Sequence, residues 1–126
     1  SAVPDAFKKI NLSLTSFFDL SLNIEGNMLT LTGKDGEIWY RAERGCWSKI
    51  SRKVHCSPFY TEKDSMDTPV IGAWGVKNGV LTIRVYEIEF LEEDTLTLTE
   101  AEDGIHVSFA NTTIPSNPRD YVKKVI

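Results

Sequence analysis

This chain has 126 residues, a hydrophobic content of 41%, a charged content of 25% and a net charge of −4 at pH 7. These values are typical of one globular domain and exclude a chain that is mainly disordered. The acidic balance, with a pI near 5.2, also argues against nucleic acid as the main partner, because phosphate binding needs a surplus of Lys and Arg.

The ends of the chain bear on its domain organisation. It opens on Ser1 and shows no leader-like segment, and it contains no apolar run long enough for a membrane helix. We therefore expect a single domain, residues 1–126, excised from a longer protein and without a membrane span.

The first half of the chain predicts one short helix and three strands. The helix runs from Pro4 to Leu12, because Pro and an acidic residue suit a first helical turn. Apolar and polar residues then alternate, as expected for half-buried strands separated by turns. The predicted strands are Leu20–Glu25, Met28–Thr32 and Glu37–Ala42, with turns at Gly26-Asn27 and Lys34-Asp35-Gly36.

The second half begins with a weakly patterned stretch, residues 49–69, which predicts a surface loop around one short strand. Further strands and hairpin turns come after it, and Asn117-Pro118 predicts the start of a closing helix that ends at about Val125. The predicted strands are Val70–Val76, Val80–Phe90, Thr95–Thr99 and Ile105–Ala110, with turns at Asn78-Gly79 and Asp103-Gly104.

Seven or eight short strands joined by tight turns indicate a mainly β sandwich or barrel. Sequential hairpins favour an antiparallel up-and-down meander. We expect this meander to curl into a small lipocalin-like barrel, which removes the exposed sheet edges, with a β-sandwich as the alternative and short helices at both termini.

Catalytic and metal-binding signals are weak. Cys46 and Cys56 are either free thiols or one local disulfide, and with His55 they provide only three metal ligands at irregular spacing. The chain contains neither a G-x-S-x-G element nor a Gly-rich phosphate loop. We expect no catalytic residue, no metal and no cofactor.

Glu87 is the most informative single residue of the predicted strands. It falls on the apolar parity of the strand that begins at Val80, where Leu81, Ile83 and Val85 alternate. A β-bulge near Tyr86-Glu87 would restore the phase. Without a bulge the carboxylate points into the interior, where it needs a ligand or an arginine partner, for which the candidates are Arg41, Arg44 and Arg84.

Aromatic and charged residues supply the candidates for a ligand site or an interface. The tryptophans suit a core, or a groove for a small apolar ligand. Charge is uneven, with a basic segment from Arg41 to His55 and an acidic one from Glu87 to Asp103, which serve as solvated faces or as a docking surface. The candidate residues are Trp39, Trp47, Trp74, Tyr86, Glu87 and Arg84.

Three segments carry a resemblance to a known family. They are GNMLTLTGKDGEIWYRAERGCW, PVIGAWGVKNGVLTIRVYEIEF and DGIHVSFANT, which contain a D-G-E turn, a Gly-x-Trp and a G-x-W strand. Their order resembles the C-terminal, non-catalytic β domain of bacterial serine hydrolases of the β-lactamase and penicillin-binding type. The resemblance implies a catalytic domain upstream, with S-x-x-K and K-T-G elements that this chain lacks.

The resulting expectation is an accessory domain that packs on that upstream catalytic domain and modulates substrate access, with self-association as a further contact. The compartment stays open between the bacterial cytoplasm and the cell envelope. A free-standing lipocalin-like barrel for a small apolar ligand is the alternative, and an independent small hydrolase is a third interpretation that the missing motifs disfavour.

Overall fold

A computed structural model describes residues 2–12, 20–33, 36–55, 65–88, 92–111 and 119–123. Within these ranges, residues 51–55, 65–68, 92, 111 and 119–123 are described by their backbone alone. The described strands are β1 (Lys9–Asn11), β2 (Leu20–Glu25), β3 (Met28–Gly33), β4 (Ile38–Glu43), β5 (Ser48–His55), β6 (Ser65–Lys77), β7 (Val80–Glu87), β8 (Glu92–Ala101), β9 (Gly104–Asn111) and β10 (Arg119–Lys123).

The protein is mainly β, and its strands form two antiparallel sheets. The smaller sheet has the order β1-β2-β3-β4, and the larger has the order β10-β9-β8-β7-β6-β5. Strands that are neighbours in the sequence are therefore neighbours in each sheet, which confirms the predicted meander. The chain passes from the smaller sheet to the larger one between β4 and β5.

A single core unites the two sheets, and it follows the alternation of the sequence. The pattern in β2 is strictly buried then exposed, and β7 buries every second side chain up to its last residue. Removing each large apolar side chain from water stabilises the fold by about 1.5–3 kcal/mol. The buried apolar residues are Phe7, Leu12, Leu20, Leu22, Ile24, Leu29, Leu31, Tyr40, Ala42, Val70, Trp74, Val76, Leu81, Ile83, Val85, Leu96, Leu98, Ile105 and Val107.

Trp74 joins the two sheets where β4 ends. Its indole Nε1 donates a hydrogen bond of 2.8 Å to the carbonyl oxygen of Ala42, so the polar edge of this buried ring has a partner. The backbone N–H of Gly45 donates to the Trp74 carbonyl at 2.9 Å, and Arg44 forms a parallel bridge with Trp74. Gly45 has a φ of +72°, which lets the chain turn sharply after this bridge.

Tyr40 is the largest fully buried side chain, and it packs on a glycine of the opposite sheet. A Cβ atom at Gly72 would lie 2.6 Å from Cε1 and Cζ of the Tyr40 ring, and also 2.6 Å from the carbonyl oxygen of Arg84. Gly72 is thus required for the ring to fit. No described residue forms a hydrogen bond with the buried Tyr40 hydroxyl, and burial raises the pKa of that phenol well above its ordinary value.

The predicted terminal helices are wrong. Between Pro4 and Leu12 the chain forms one 3-10 turn, Asp5–Phe7, and then enters β1, whose residues pair with β2. At the other end, residues 119–123 form β10, which pairs with β9 over five residues. In both places pairing with an existing sheet satisfies more backbone groups than an isolated helical turn would. Asn117-Pro118 and Val125 lie outside the described residues.

The prediction of an irregular stretch at residues 49–69 is also wrong over its described part. β5 pairs with β6 through eight consecutive residues, from Ser48 opposite Gly72 to His55 opposite Ser65. β5 lies at the edge of its sheet, where charged residues are common because they discourage pairing with other chains. The polar sequence of β5 therefore lacks the apolar–polar alternation from which a strand is predicted.

The β-bulge predicted near Tyr86-Glu87 does not form. The register of β7 is continuous to its last residue, with Glu87 opposite both Val70 of β6 and Glu92 of β8. A register shift occurs instead between β3 and β4, where Leu31 faces Tyr40 and Thr32 faces Ile38. Trp39 is the extra residue at this shift, and it is half-buried against the core.

Candidate functional site

The six candidate residues lie in two different environments. Trp74 is 2% exposed and Glu87 is 8% exposed, and both belong to the interior, while Trp39 packs half-buried at the β3–β4 shift. The other three meet on the outer face of the larger sheet. They are Trp47, Arg84 and Tyr86.

Strand alternation explains why these three residues point outward. Arg84 and Tyr86 occupy the positions of β7 between buried Ile83, Val85 and Glu87, so their side chains leave the opposite face of the sheet. Trp47 comes directly before β5, just after the turn at Gly45, and it is 53% exposed. An indole with so much of its surface in water is unusual for a residue that serves only as core.

The two rings and the guanidinium form one compact group. The ring centroids of Trp47 and Tyr86 are 6.1 Å apart, with a tilt of 49° between the ring planes. The Cζ atom of Arg84 lies 5.9 Å from the centroid of the Trp47 ring and 5.8 Å from that of the Tyr86 ring. Both distances are within the range of cation–π attraction.

Glu93 of β8 completes this group. Arg84 Nε donates a hydrogen bond of 2.6 Å to Glu93 Oε1, and Arg84 Nη2 donates one of 3.1 Å to the Tyr86 hydroxyl. The Arg84 guanidinium lowers the pKa of the Glu93 carboxyl, and Glu93 raises the pKa of the Tyr86 phenol, chiefly through a hydrogen bond. We call Trp47, Arg84, Tyr86 and Glu93 the aromatic patch.

The aromatic patch has the composition of an interface centre. Trp, Tyr and Arg are the residue types that most often dominate binding energy between proteins. Here the guanidinium is held by a carboxylate and two rings before any partner arrives, so less side-chain entropy is lost on binding. The ion pair itself adds little, because the Arg84 side chain is 48% exposed to water. The patch can thus offer rigid apolar area with fixed polar groups.

The interior carries a second polar feature that sequence reasoning found only in part. Glu87 and Asp94, 8% and 7% exposed, both lie on the inner face of adjacent strands. Both carboxylates have interaction partners. Arg84, one of the partners expected for Glu87, lies on the other face with Glu93. Asp94 shares the apolar parity of Leu96, and that parity is the sequence signal that could have found it.

Other groups expected from the sequence lie elsewhere in the molecule. Cys46 is an exposed free thiol, and Cys56 lies outside the described residues. Among the residues that the structure describes, no three His, Cys, Asp or Glu side chains are grouped so as to hold a metal ion. The described ranges contain no helix of the length and apolarity needed to span a membrane.

Comparison with protein families, with curated proteins and with solved structures gives no match for this chain. The resemblance to the accessory domains of serine hydrolases therefore stays a prediction from the sequence. The function proposed next therefore depends on the aromatic patch and its geometry.

Proposed function

We propose that this chain is a non-catalytic accessory β domain of a β-lactamase-like serine hydrolase. In this proposal the domain packs on the upstream catalytic domain through the aromatic patch and modulates access of substrate to that domain. The observation that carries the proposal is the preorganised group of Trp47, Arg84 and Tyr86 on an exposed sheet face.

Such a group gains stability from a protein partner. The exposed indole of Trp47 and the half-buried phenol of Tyr86 bury further apolar area when a second surface covers them, and Arg84 keeps its partner Glu93 during that step. Removing one aromatic residue from the centre of an interface costs about 2 kcal/mol or more, which is about 30-fold in affinity. Loss of either ring from the aromatic patch should therefore weaken docking measurably.

The proposal extends to the shape of the domain. We infer that the two sheets curl into one barrel-like body, as the sequence predicts. The bridge between Arg44 and Trp74 supports this, together with the hydrogen bond from Arg44 Nη2 to the carbonyl oxygen of Val76, since both join the residue that follows β4 to β6 of the other sheet. The alternative arrangement is a two-layer sandwich joined at this one corner.

The alternative function, binding of a small apolar ligand inside the barrel, has less support. The inner positions of the described strands hold large side chains such as Tyr40, Leu31 and Ile83, all fully buried in one continuous core. The exposed aromatic rings lie on the outer face instead. An internal ligand would leave the arrangement of the aromatic patch unexplained.

Two measurements test the proposal. The reading frame upstream of Ser1 must encode a domain with S-x-x-K, and its absence removes the proposed parent enzyme. The affinity of this chain for that catalytic domain, supplied as a separate protein, is then measured by calorimetry. We expect Trp47→Ala and Tyr86→Ala each to weaken binding about 30-fold.

The matched control is Ile38→Ala on β4, an apolar residue of similar exposure, 46%, in the smaller sheet. It should bind like the unaltered chain. Equal binding by the Trp47→Ala variant would refute the proposed contact. Sedimentation of the chain alone separates a second outcome, in which the aromatic patch joins two copies of this domain and the catalytic domain does not bind.

A further inference from the structure

The outer face of the larger sheet carries a second feature, on strands β8 and β9. A cavity of about 270 Å³ is lined by Thr97 and Thr99 of β8 and by His106, Val107 and Ser108 of β9. We call it the hydroxyl cavity. Its volume is just below the usual range for small-molecule sites, about 300–1,000 Å³, so it suits one ring rather than a large ligand.

Strand register brings the polar groups of this cavity together. Thr97 lies opposite Ser108, and Thr99 lies opposite His106. The alternate positions Leu96 and Leu98 of β8 and Ile105 and Val107 of β9 are buried in the core, so the four side chains of the cavity leave the outer face. Val107 lines the cavity although its side chain is only 1% exposed. The polar side chains therefore surround a floor of backbone.

His106 has a neighbouring carboxylate. Its Nε2 lies 2.8 Å from Oδ1 of Asp103, at the β8–β9 turn. A carboxylate accepts hydrogen bonds, so this contact assigns the proton to Nε2 and makes Nδ1 an acceptor in the neutral ring. The cavity lining thus combines one imidazole ring with three hydroxyl groups, each of which can donate and accept a hydrogen bond.

The charged side chains in and around the hydroxyl cavity indicate which class of ligand it could bind. Among the described residues, the lining contains no Lys or Arg, so an anionic ligand would find no fixed positive charge there. The β8–β9 turn beside it is acidic, since Glu100, Glu102 and Asp103 line a separate cavity of about 360 Å³. Their negative potential disfavours phosphates and acidic sugars. A neutral ligand rich in hydroxyl groups fits what remains.

We propose that the hydroxyl cavity binds a neutral saccharide, with one sugar ring between Thr97, Thr99, His106 and Ser108. Each hydroxyl group of the sugar and of the side chains can act as a hydrogen-bond donor or acceptor. The hydrogen-bonding groups of the ligand and of the cavity can therefore pair without any charged group. This site is separate from the aromatic patch and does not depend on the docking proposed above.

The experiment uses the intact chain and three neutral probes, cellohexaose, maltohexaose and chitohexaose, with hexagalacturonate as the acidic comparison. Binding is measured by calorimetry and by amide chemical shifts. We expect at least one neutral probe to bind and to shift amides of β8 and β9, and hexagalacturonate not to bind. Thr97→Val and Ser108→Ala, which remove one hydroxyl each, should weaken that binding about tenfold.

The matched control is Thr95→Val, which alters the preceding outer position of β8 without touching the cavity. It should bind within about twofold of the unaltered chain. The proposal is overturned if no neutral probe binds at millimolar concentration, if hexagalacturonate binds more tightly, or if the Thr95 and Thr97 variants lose binding equally. Circular dichroism confirms that each variant is folded.

Discussion

Replacing Tyr40 by phenylalanine removes one oxygen atom from the interior and nothing else. The hydroxyl is fully buried and has no hydrogen-bond partner among the described residues. A buried polar group in that state costs about 1–3 kcal/mol, whereas the void left by one oxygen is smaller than a methyl group and costs less than about 1 kcal/mol. We therefore expect Tyr40→Phe to raise the free energy of unfolding by about 1–2 kcal/mol.

The pH dependence gives a second, independent signature of the same residue. Burial raises the pKa of the Tyr40 phenol above its unfolded value of about 10. The stability linked to this group is complete below pH 10 and is lost as the pH rises from 10 toward the folded pKa, because only the unfolded chain ionises there. The unaltered chain should lose about 1 kcal/mol between pH 10 and 11 that Tyr40→Phe retains.

Urea unfolding at pH 7, 10 and 11 measures both effects, and the midpoint temperature should rise by about 4 °C for each kcal/mol at this chain length. The other three tyrosines are common to both proteins, so the difference isolates Tyr40. A variant that is less stable than the unaltered chain at pH 7, or one with the same alkaline loss, would refute the reasoning.

Three further changes test the packing and the aromatic patch. Gly72→Ala should lower the free energy of unfolding by about 1–3 kcal/mol in urea, while Gly75→Ala, where an added Cβ meets nothing within 4 Å, should cost less than about 1 kcal/mol. Trp74→Phe should cost about 2–4 kcal/mol by the same assay, through a lost indole hydrogen bond and lost volume. Glu93→Gln should change stability by at most about 1 kcal/mol above pH 5, and the difference should vanish as the pH falls below the lowered pKa of Glu93.

Alternation alone predicted much of this fold. The strands that bury one clean apolar face, β2, β3 and β9, were placed within a residue or two, because a half-buried strand requires that pattern. β5 escaped prediction since an edge strand needs no continuous apolar face. β10 escaped because the sequence signal for a helix start is local, whereas strand pairing depends on β9.

The β-bulge predicted near Tyr86-Glu87 was wrong because the prediction considered only the energetic cost of burying a carboxylate. A buried carboxylate is expensive, so a bulge that turned Glu87 outward was the simpler solution to expect. The structure keeps the register and places Glu87 and Asp94 together at the inner face, each with a partner. The alternation of the sequence places Glu87 and Asp94 at inward-facing positions. It does not indicate that two buried carboxylates on neighbouring strands would both find partners.

The sequence identified Trp47, Arg84 and Tyr86 as candidate residues, but it did not predict that they contact one another. Arg84 and Tyr86 follow from the alternation of β7. The contact of Trp47 with them depends on the register of β5 against β6 and on the turn at Gly45, neither of which the sequence pattern reveals. Trp74 has the same residue type and a similar Gly-rich context, yet it is a core residue.

The most direct test of the proposed docking is the solvent exposure of the Trp47 indole with and without the proposed upstream domain, which would make up the complete chain together with this domain. Trp47 is labelled with 5-fluorotryptophan, and its fluorine signal is followed on adding a soluble paramagnetic quencher to the isolated domain and to the complete chain. The account predicts strong quenching in the isolated domain, where the ring is 53% exposed, and protection in the complete chain. Equal quenching of the signal in both proteins would contradict it.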